Sequence, residues 1–404
     1  MTAADTASGT APTTTPTVTP TITPTTTPMT TPTVTPTITP IIMPKWGLEM
    51  REGTVVDWLV EEGTRITVGM PILDVETDKI SNTVEAPDPG LLRRRLAHAG
   101  ETLAVRALLG VLADPEVSEE AIDAFVKAFV VPLAGTAEES SGPSFESATI
   151  DGIRVRYAQR GPDVEVPLVL LHGFGGDLGN WLFNIDALAE HVRVLALDLP
   201  GHGQSTAQLP GASLEAMSGF VAGWLDAIGV ARAHFAGHSM GAAIASQLAL
   251  DAPGRVASLA LLCPAGLGEA INTSYTEGFA AAESRRELKP VVEQLFHNPE
   301  LVTRSLLEDL LKYKRIDGVQ ELLRDLGGAL FHNGKQRATP GLRLSDPALP
   351  VLVIWGESDR IIPASQAANA PPHAQVEVLK SAGHMVMLEK AAEVNALLRK
   401  HLGL

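Results

Sequence analysis

Apolar and polar side chains alternate in two short runs, Pro71-Ile72-Leu73-Asp74-Val75 and Ile80-Ser81-Asn82-Thr83-Val84-Glu85-Ala86. Period-two alternation on either side of a short polar stretch predicts a β-hairpin with Thr77-Asp78-Lys79 near its tip. From Ser118 the period becomes helical. Ile122, Phe125, Val126, Phe129 and Val130 share one face, with Ser118 as N-cap and acids in the first turn. That stripe must bury, either on a neighbouring domain or against a partner subunit. Beyond residue 146 short continuous apolar runs (166–171, 192–197, 231–236, 256–262 and 351–355) alternate with helical patterns. Strands without polar alternation, separated by helices, predict a parallel sheet covered on both faces. Between 266 and 346 the rhythm is helical and more charged, which predicts an insertion acting as a lid.

The first forty residues have neither period. Proline recurs at every fourth position from Pro12 to Pro40, threonine fills most gaps, and Thr15 to Pro24 returns unchanged as Thr31 to Pro40. Proline fixes φ and removes a donor, so residues 1–37 form a tail without a core, read as a tandem expansion of a short leader. A second linker composition, Gly-, Ser- and Glu-rich, runs from Ala134 to Ser144. The expected domains are therefore 38–113, then 114–145 with the amphipathic helix and linker, then 146–404.

Composition narrows the partners. With 47 acidic and 31 basic residues the net charge is −16, which disfavours nucleic acid and anionic membranes. The one tight basic triplet, Arg93-Arg94-Arg95, lies in a predicted strand and reads as solvated. No apolar run is long enough to span a bilayer, and no charged N-terminal region precedes an apolar core. The single cysteine, Cys263, excludes an internal disulfide and fits a reducing cytoplasm. The eleven histidines show no zinc spacing, so no metal site is expected.

A lone lysine at a turn is ordinarily a solubilising residue, but the surroundings of Lys79 are specific. Met43-Pro44-Lys45-Trp46-Gly47-Leu48-Glu49-Met50, Glu62-Gly63-Thr64 and Gly69-Met70-Pro71 precede it, and Ala86-Pro87-Asp88-Pro89-Gly90 and Ala99-Gly100-Glu101 follow. Residues 38–113 thereby resemble the lipoyl domain of 2-oxo acid and acetoin dehydrogenase complexes. The resemblance implies an all-β flattened barrel with lipoic acid in amide linkage on Lys79. Biotin carriers usually have methionine on both sides of the lysine; here Asp78 and Ile80 flank it.

The second centre is Gly237-His238-Ser239-Met240-Gly241, between the strand ending at Ala236 and a small-residue helix. Glycines two before and two after the serine allow a sharp turn that presents its hydroxyl, and the helix N-terminus favours developing negative charge. Alone the motif is weak. His172-Gly173-Phe174-Gly175-Gly176 after an earlier strand, Asp198 to Ser205 after the next, Trp355-Gly356-Glu357-Ser358-Asp359 and Ala382-Gly383-His384 make it specific. Residues 146–404 resemble the α/β-hydrolase fold. That resemblance implies a Ser239, Asp359, His384 triad, with backbone N–H groups of Phe174 and Met240 as the oxyanion hole. Glu357 is the alternative acid. Asp198, His172, His202 and His238 read as local structural residues.

A lipoyl carrier and an acyl-attacking serine on one chain resemble the dihydrolipoyllysine acetyltransferase component of acetoin dehydrogenase complexes. The resemblance implies acetyl transfer from dihydrolipoyl-Lys79 to coenzyme A, with a thiamine-diphosphate-dependent component and dihydrolipoamide dehydrogenase as partners. Two alternatives stand beside it: a hydrolase or thioesterase fused to a carrier, and a carrier whose second half only scaffolds. Arg285, Arg286, Lys289, Lys312, Lys314 and Arg315 could hold coenzyme A phosphates, against the plainer reading of a solvated helix face.

Overall fold

The structure, a computed structural model, describes residues 38–44, 50–77, 81–86, 88–129 and 144–404. Lys79 and the repeat before Ile38 lie outside the described residues, as does most of the 134–144 linker.

The N-terminal part has eight strands: β1 (Ile38–Ile42), β2 (Glu52–Trp58), β3 (Arg65–Ile66), β4 (Pro71–Glu76), β5 (Ser81–Glu85), β6 (Gly90–Arg95), β7 (Thr102–Ala104) and β8 (Leu108–Ala113). They form two four-stranded sheets in the orders β5-β4-β2-β7 and β1-β8-β6-β3. Val55, Ile66, Ile72, Leu73, Val75, Leu92 and Leu109 are fully buried in one cluster, and a register shift in β4 lets the adjacent Ile72 and Leu73 both bury. The last residues of the Thr/Pro repeat, Ile38 to Pro40, belong to strand β1, which pairs with β8 alone. An edge position tolerates Pro40, since its missing N–H need not face a second strand.

Helix α1 (Glu119–Ala128) starts where the sequence places it, with the Ser118 hydroxyl accepting from the Ala121 N–H at 3.2 Å. Its buried Ile122 packs with Val111, Ala113 and Val117 against the β-domain, with Phe125 and Val126 alongside. The apolar stripe is therefore covered within the chain over these residues; Val130 lies outside the described residues. The arginine triplet is not simply solvated. Arg93 donates to Glu119, and Arg94 donates to Glu119 and Asp123, fastening the exposed side of α1 to β6. Sequence reading treated the two segments separately because they lie about a quarter of a hundred residues apart in the chain, beyond any helical or hairpin period.

The C-terminal part begins at β9 (Ser144–Ile150), two residues ahead of the expected boundary. β10 (Ile153–Arg160), β11 (Leu168–Leu171) and β12 (Val194–Leu197) follow, with α2 (Ile185–Ala189) before β12. Then come α3 (Leu214–Ala227), β13 (Ala233–His238), α4 (Met240–Asp251) and β14 (Val256–Leu262). Four helices, α5 (Thr273–Ala281), α6 (Arg285–Val292), α7 (Arg304–Lys314) and α8 (Val319–Leu330), precede a two-stranded ribbon of β15 (Phe331–His332) and β16 (Lys335–Gln336). The chain ends with β17 (Val351–Gly356), β18 (Gln375–Leu379), α9 (Val386–Glu389) and α10 (Ala391–Leu402). The eight-stranded sheet runs β18-β17-β14-β13-β11-β12-β10-β9, parallel from β18 through β12 and antiparallel at β10 and β9. β11 and β12 are wholly apolar and buried, as strands covered on both faces are. Antiparallel β10 instead alternates buried Ile153, Val155 and Tyr157 with Arg154 and Arg156.

Candidate active site

Ser239 sits between β13 and α4 with φ 53° and ψ −116°, a conformation that costs a non-glycine residue about 1–3 kcal/mol. The neighbouring glycines are needed sterically. A Cβ on Gly237 would lie 2.6 Å from the Ala242 backbone, and one on Gly241 would lie 2.3 Å from the Leu171 carbonyl oxygen. The turn thereby lifts the hydroxyl out of the sheet at the start of a helix whose first N–H groups lack intrahelical acceptors. Met240 is the first residue of that helix. Phe174 follows β11 and lines the same cavity as Ser239 and His384, a space of about 590 Å³.

Asp359 and His384 come from the ends of β17 and β18. The His384 Nδ1–H donates to Asp359 Oδ2 at 2.8 Å, and both side chains are buried. Asp359 is held in turn by N–H donors from Ile361 (2.8 Å) and Ile362 (3.0 Å) and by the Trp355 indole (3.0 Å). This donor set orients the carboxylate, and the bond from Nδ1 leaves Nε2 as the His384 nitrogen not engaged by Asp359. Glu357, the alternative acid, is exposed, and Asp359 occupies the position it would need.

The other buried polar residues act locally. His172 donates from Nδ1 to the Gly173 carbonyl (2.8 Å) and accepts the Leu199 N–H at Nε2 (3.0 Å). Both nitrogens are spoken for in the neutral ring, and burial pulls its pKa down to about 4. Burial and then His172 pull His202 down to about 3. Asp198 accepts N–H groups from Leu178 (2.8 Å) and Gln204 (3.0 Å), with burial and then Asp177 pushing its pKa up to about 7. It braces the two loops that carry Leu178 and Gln204.

Two residues to which sequence reasoning gave no place in the site support His384. Glu389 accepts from the N–H groups of Gly383 (2.6 Å) and His297 (2.7 Å), tying the turn before His384 to the helical insertion. Cys263 Sγ, an Asp359 oxygen and a His384 nitrogen lie within 4.8 Å of one another, and burial, then Asp359, holds the thiol protonated well above its usual range. The only sequence signal for Glu389 was its place five residues after His384, which names no partner.

Of the six candidate phosphate-binding cations, Arg285, Arg286, Lys289, Lys312 and Arg315 are exposed on the insertion, and Arg285, Lys289 and Lys312 pair with Glu308, Glu293 and Asp309. Lys314 departs from the solvated-face reading. It is buried, and its ammonium donates to the carbonyls of Phe279 and Ala280. It continues the buried stripe of Leu307 and Leu311, so its charge is spent on the C-terminal end of α5.

On the N-terminal domain the hairpin closes with Glu76 opposite Ser81, so residues 77–80 form the connection. Residues 78–80, with Lys79 among them, lie outside the described residues.

Fold and site together define a lipoyl-type carrier joined to an α/β-hydrolase-fold enzyme. Family comparison agrees: residues 39–112 match the Biotin-requiring enzyme family and residues 166–391 match the alpha/beta hydrolase fold family. The chain is 58% identical over 361 residues to the dihydrolipoyllysine-residue acetyltransferase component of the acetoin cleaving system of Cupriavidus necator, covering 89% of this chain and 96% of that protein. The Pseudomonas putida protein of the same name is 51% identical, over 89% of this chain and 98% of its own. Among solved structures, a bacterial membrane phospholipase A matches with a TM-score of 0.57 at 27% identity, covering 65% of this chain and 86% of that one. The chain belongs to the dihydrolipoyllysine-residue acetyltransferase components of acetoin cleaving systems, and so to a multienzyme system. Among the described residues no helix is long and apolar enough to cross a membrane.

Proposed function

We propose that the chain carries an acetyl group on lipoyl-Lys79 and that Ser239 transfers it to coenzyme A during acetoin breakdown in the cytoplasm. A lipoyl group supplies a thiol that holds the acyl group as a thioester. What carries the reading is the pairing, on one chain so similar to named acetyltransferase components, of that carrier domain with a buried His384–Asp359 pair and a strained serine in one cavity.

His384 Nε2 takes the Ser239 proton as Oγ bonds the acyl carbon, and the Phe174 and Met240 N–H groups meet the oxyanion. With a lipoyl thioester as donor, His384 would return the proton to the thiol leaving group as the acyl group stays on Ser239. In the second half the coenzyme A thiol gives its proton to His384 while its sulfur attacks the acetyl-Ser239 carbonyl. The C–O bond breaks, and Ser239 recovers the proton. Asp359 holds the imidazole and stabilises its charge in both halves.

Thiol must outcompete water for the acyl-serine. Phe174, Tyr275, Phe279, Leu306, Leu310 and Phe331 line the cavity, four of them from the 273–330 helices, which then serve as its cover. The partners in this reading are a thiamine-diphosphate-dependent enzyme that loads the arm and dihydrolipoamide dehydrogenase that reoxidises it. Brief exposure to an acetyl thioester followed by peptide mass analysis tests the covalent step. Acetyl on the Ser239 peptide supports it; an unmodified peptide during steady turnover sinks it.

A further inference from the structure

His238, the residue before the nucleophile, is 3% exposed and stands outside the mechanism above. Its Nε2–H donates to the backbone carbonyl of His384 at 2.9 Å, and its ring centroid lies 4.7 Å from that of His384, tilted by 58°. Donation from Nε2 fixes the neutral tautomer with a bare lone pair on Nδ1. That atom is buried and has no hydrogen-bond partner among the described residues. It faces Gly173, where an added Cβ would stand 3.0 Å from Nδ1 and 3.1 Å from Ser239 Cβ.

A buried imidazole with only one nitrogen satisfied by the protein costs stability that an apolar side chain of similar size would not. The fold alone gives no reason for it. Burial, followed by the nearby His384, keeps its pKa well below the ordinary histidine range, so it adds no second cation beside the base. The residue joins three separately placed parts: the serine turn through the chain itself, the oxyanion segment by contact with Gly173, and the His384 loop through the hydrogen bond.

We propose that His238 is a positioning residue, which holds the His384 backbone and limits the swing of its ring so that Nε2 stays in register with Ser239. This rests on His384 being the base in the proposed function, but not on which acceptor takes the acyl group.

The test uses the full chain and p-nitrophenyl acetate. His238→Gln keeps an N–H near the Nε2 position, whereas His238→Met fills the space without a donor. His238→Met should lose about 10- to 100-fold in kcat with KM nearly unchanged, the size expected from a misplaced catalytic group. His238→Gln should recover to within a few-fold of the parent. The downfield proton resonance of the His384–Asp359 hydrogen bond should broaden or vanish in the Met variant and persist in the Gln variant. Thermal melts report folding. If Met unfolds the protein, His238→Asn, whose amide falls short of the His384 carbonyl, takes its place with the same expected loss. Parent kcat in the donor-free variant, or equal impairment of the Gln variant, overturns the proposal. Ser239→Ala runs beside them: ester turnover that survives it would instead discard the serine mechanism itself.

Discussion

The β4–β5 hairpin and the β13–α4 turn each present one reactive side chain, and they do it by opposite means. The hairpin needs only local order. Strands paired from Pro71–Glu85 to Glu76–Ser81 flank the segment that contains Lys79, and in the proposed function the chemistry arrives later as a modification. The serine turn works only as an assembly. Ser239 is held at positive φ by close backbone approaches, and the proposed base and acid, His384 and Asp359, come from 145 and 120 residues further along the chain. A carrier must travel between enzymes and gains from a simple exposed mount. A nucleophile must be fixed against several groups at once, so it is buried and strained.

The largest effect that could break this contrast is Ser239→Ala. Acetyl-CoA formation should fall by about 10⁴-fold or more, while the lipoyl mass on Lys79 stays, because modification needs only the hairpin. Lys79→Arg should do the reverse to the carrier, abolishing the lipoyl mass and the coupled oxidation of acetoin. A lipoylated Lys79→Arg protein would place the attachment elsewhere.

Next in size is the acid. Asp359→Asn should lower turnover by about 10³- to 10⁴-fold by disturbing the His384 tautomer and charge, whereas Glu357→Gln should change it by less than about twofold. The opposite ranking would exchange their roles.

Glu389→Gln sharpens the picture at about a tenfold loss of kcat, since one amide oxygen replaces a carboxylate that accepts several N–H groups around the His384 turn. Burial raises the Glu389 pKa above its model-peptide value of 4.5. The folded state therefore binds this proton more tightly than the unfolded chain does. Its contribution to stability is fully present below the unfolded pKa and is lost as pH rises through the folded one. Melting curves across that interval should flatten in the Gln variant.

The smallest effect on chemistry belongs to α1. Ile122→Ala should cost the carrier domain about 2–4 kcal/mol by opening a cavity against Val111 and Val117, with ester turnover at Ser239 little changed.

The contrast also explains what the sequence could reveal. Hairpin alternation, continuous central strands and the Gly-x-Ser-x-Gly turn are carried by neighbours in the chain, and each stands where the pattern put it. His238 and Glu389 became visible only when β13, the insertion and the turn after β18 met. Their bonds join residues 146 and 92 positions apart. Lys314 shows the reverse error: a charge read as solvent-facing lies on the buried stripe of its helix, satisfied by carbonyls of a different one. Charge type marked the residue, but only packing showed which way it points.

The account turns on the fate of the acyl-serine. Purified lipoylated protein given acetyl-dihydrolipoamide, with and without coenzyme A, would be assayed for acetyl-CoA against free acetate, with Ser239→Ala alongside. The account expects acetyl-CoA as the main product, dependent on Ser239. Acetate alone, at the same rate with or without coenzyme A, would contradict it and make the second domain a hydrolase fused to a carrier.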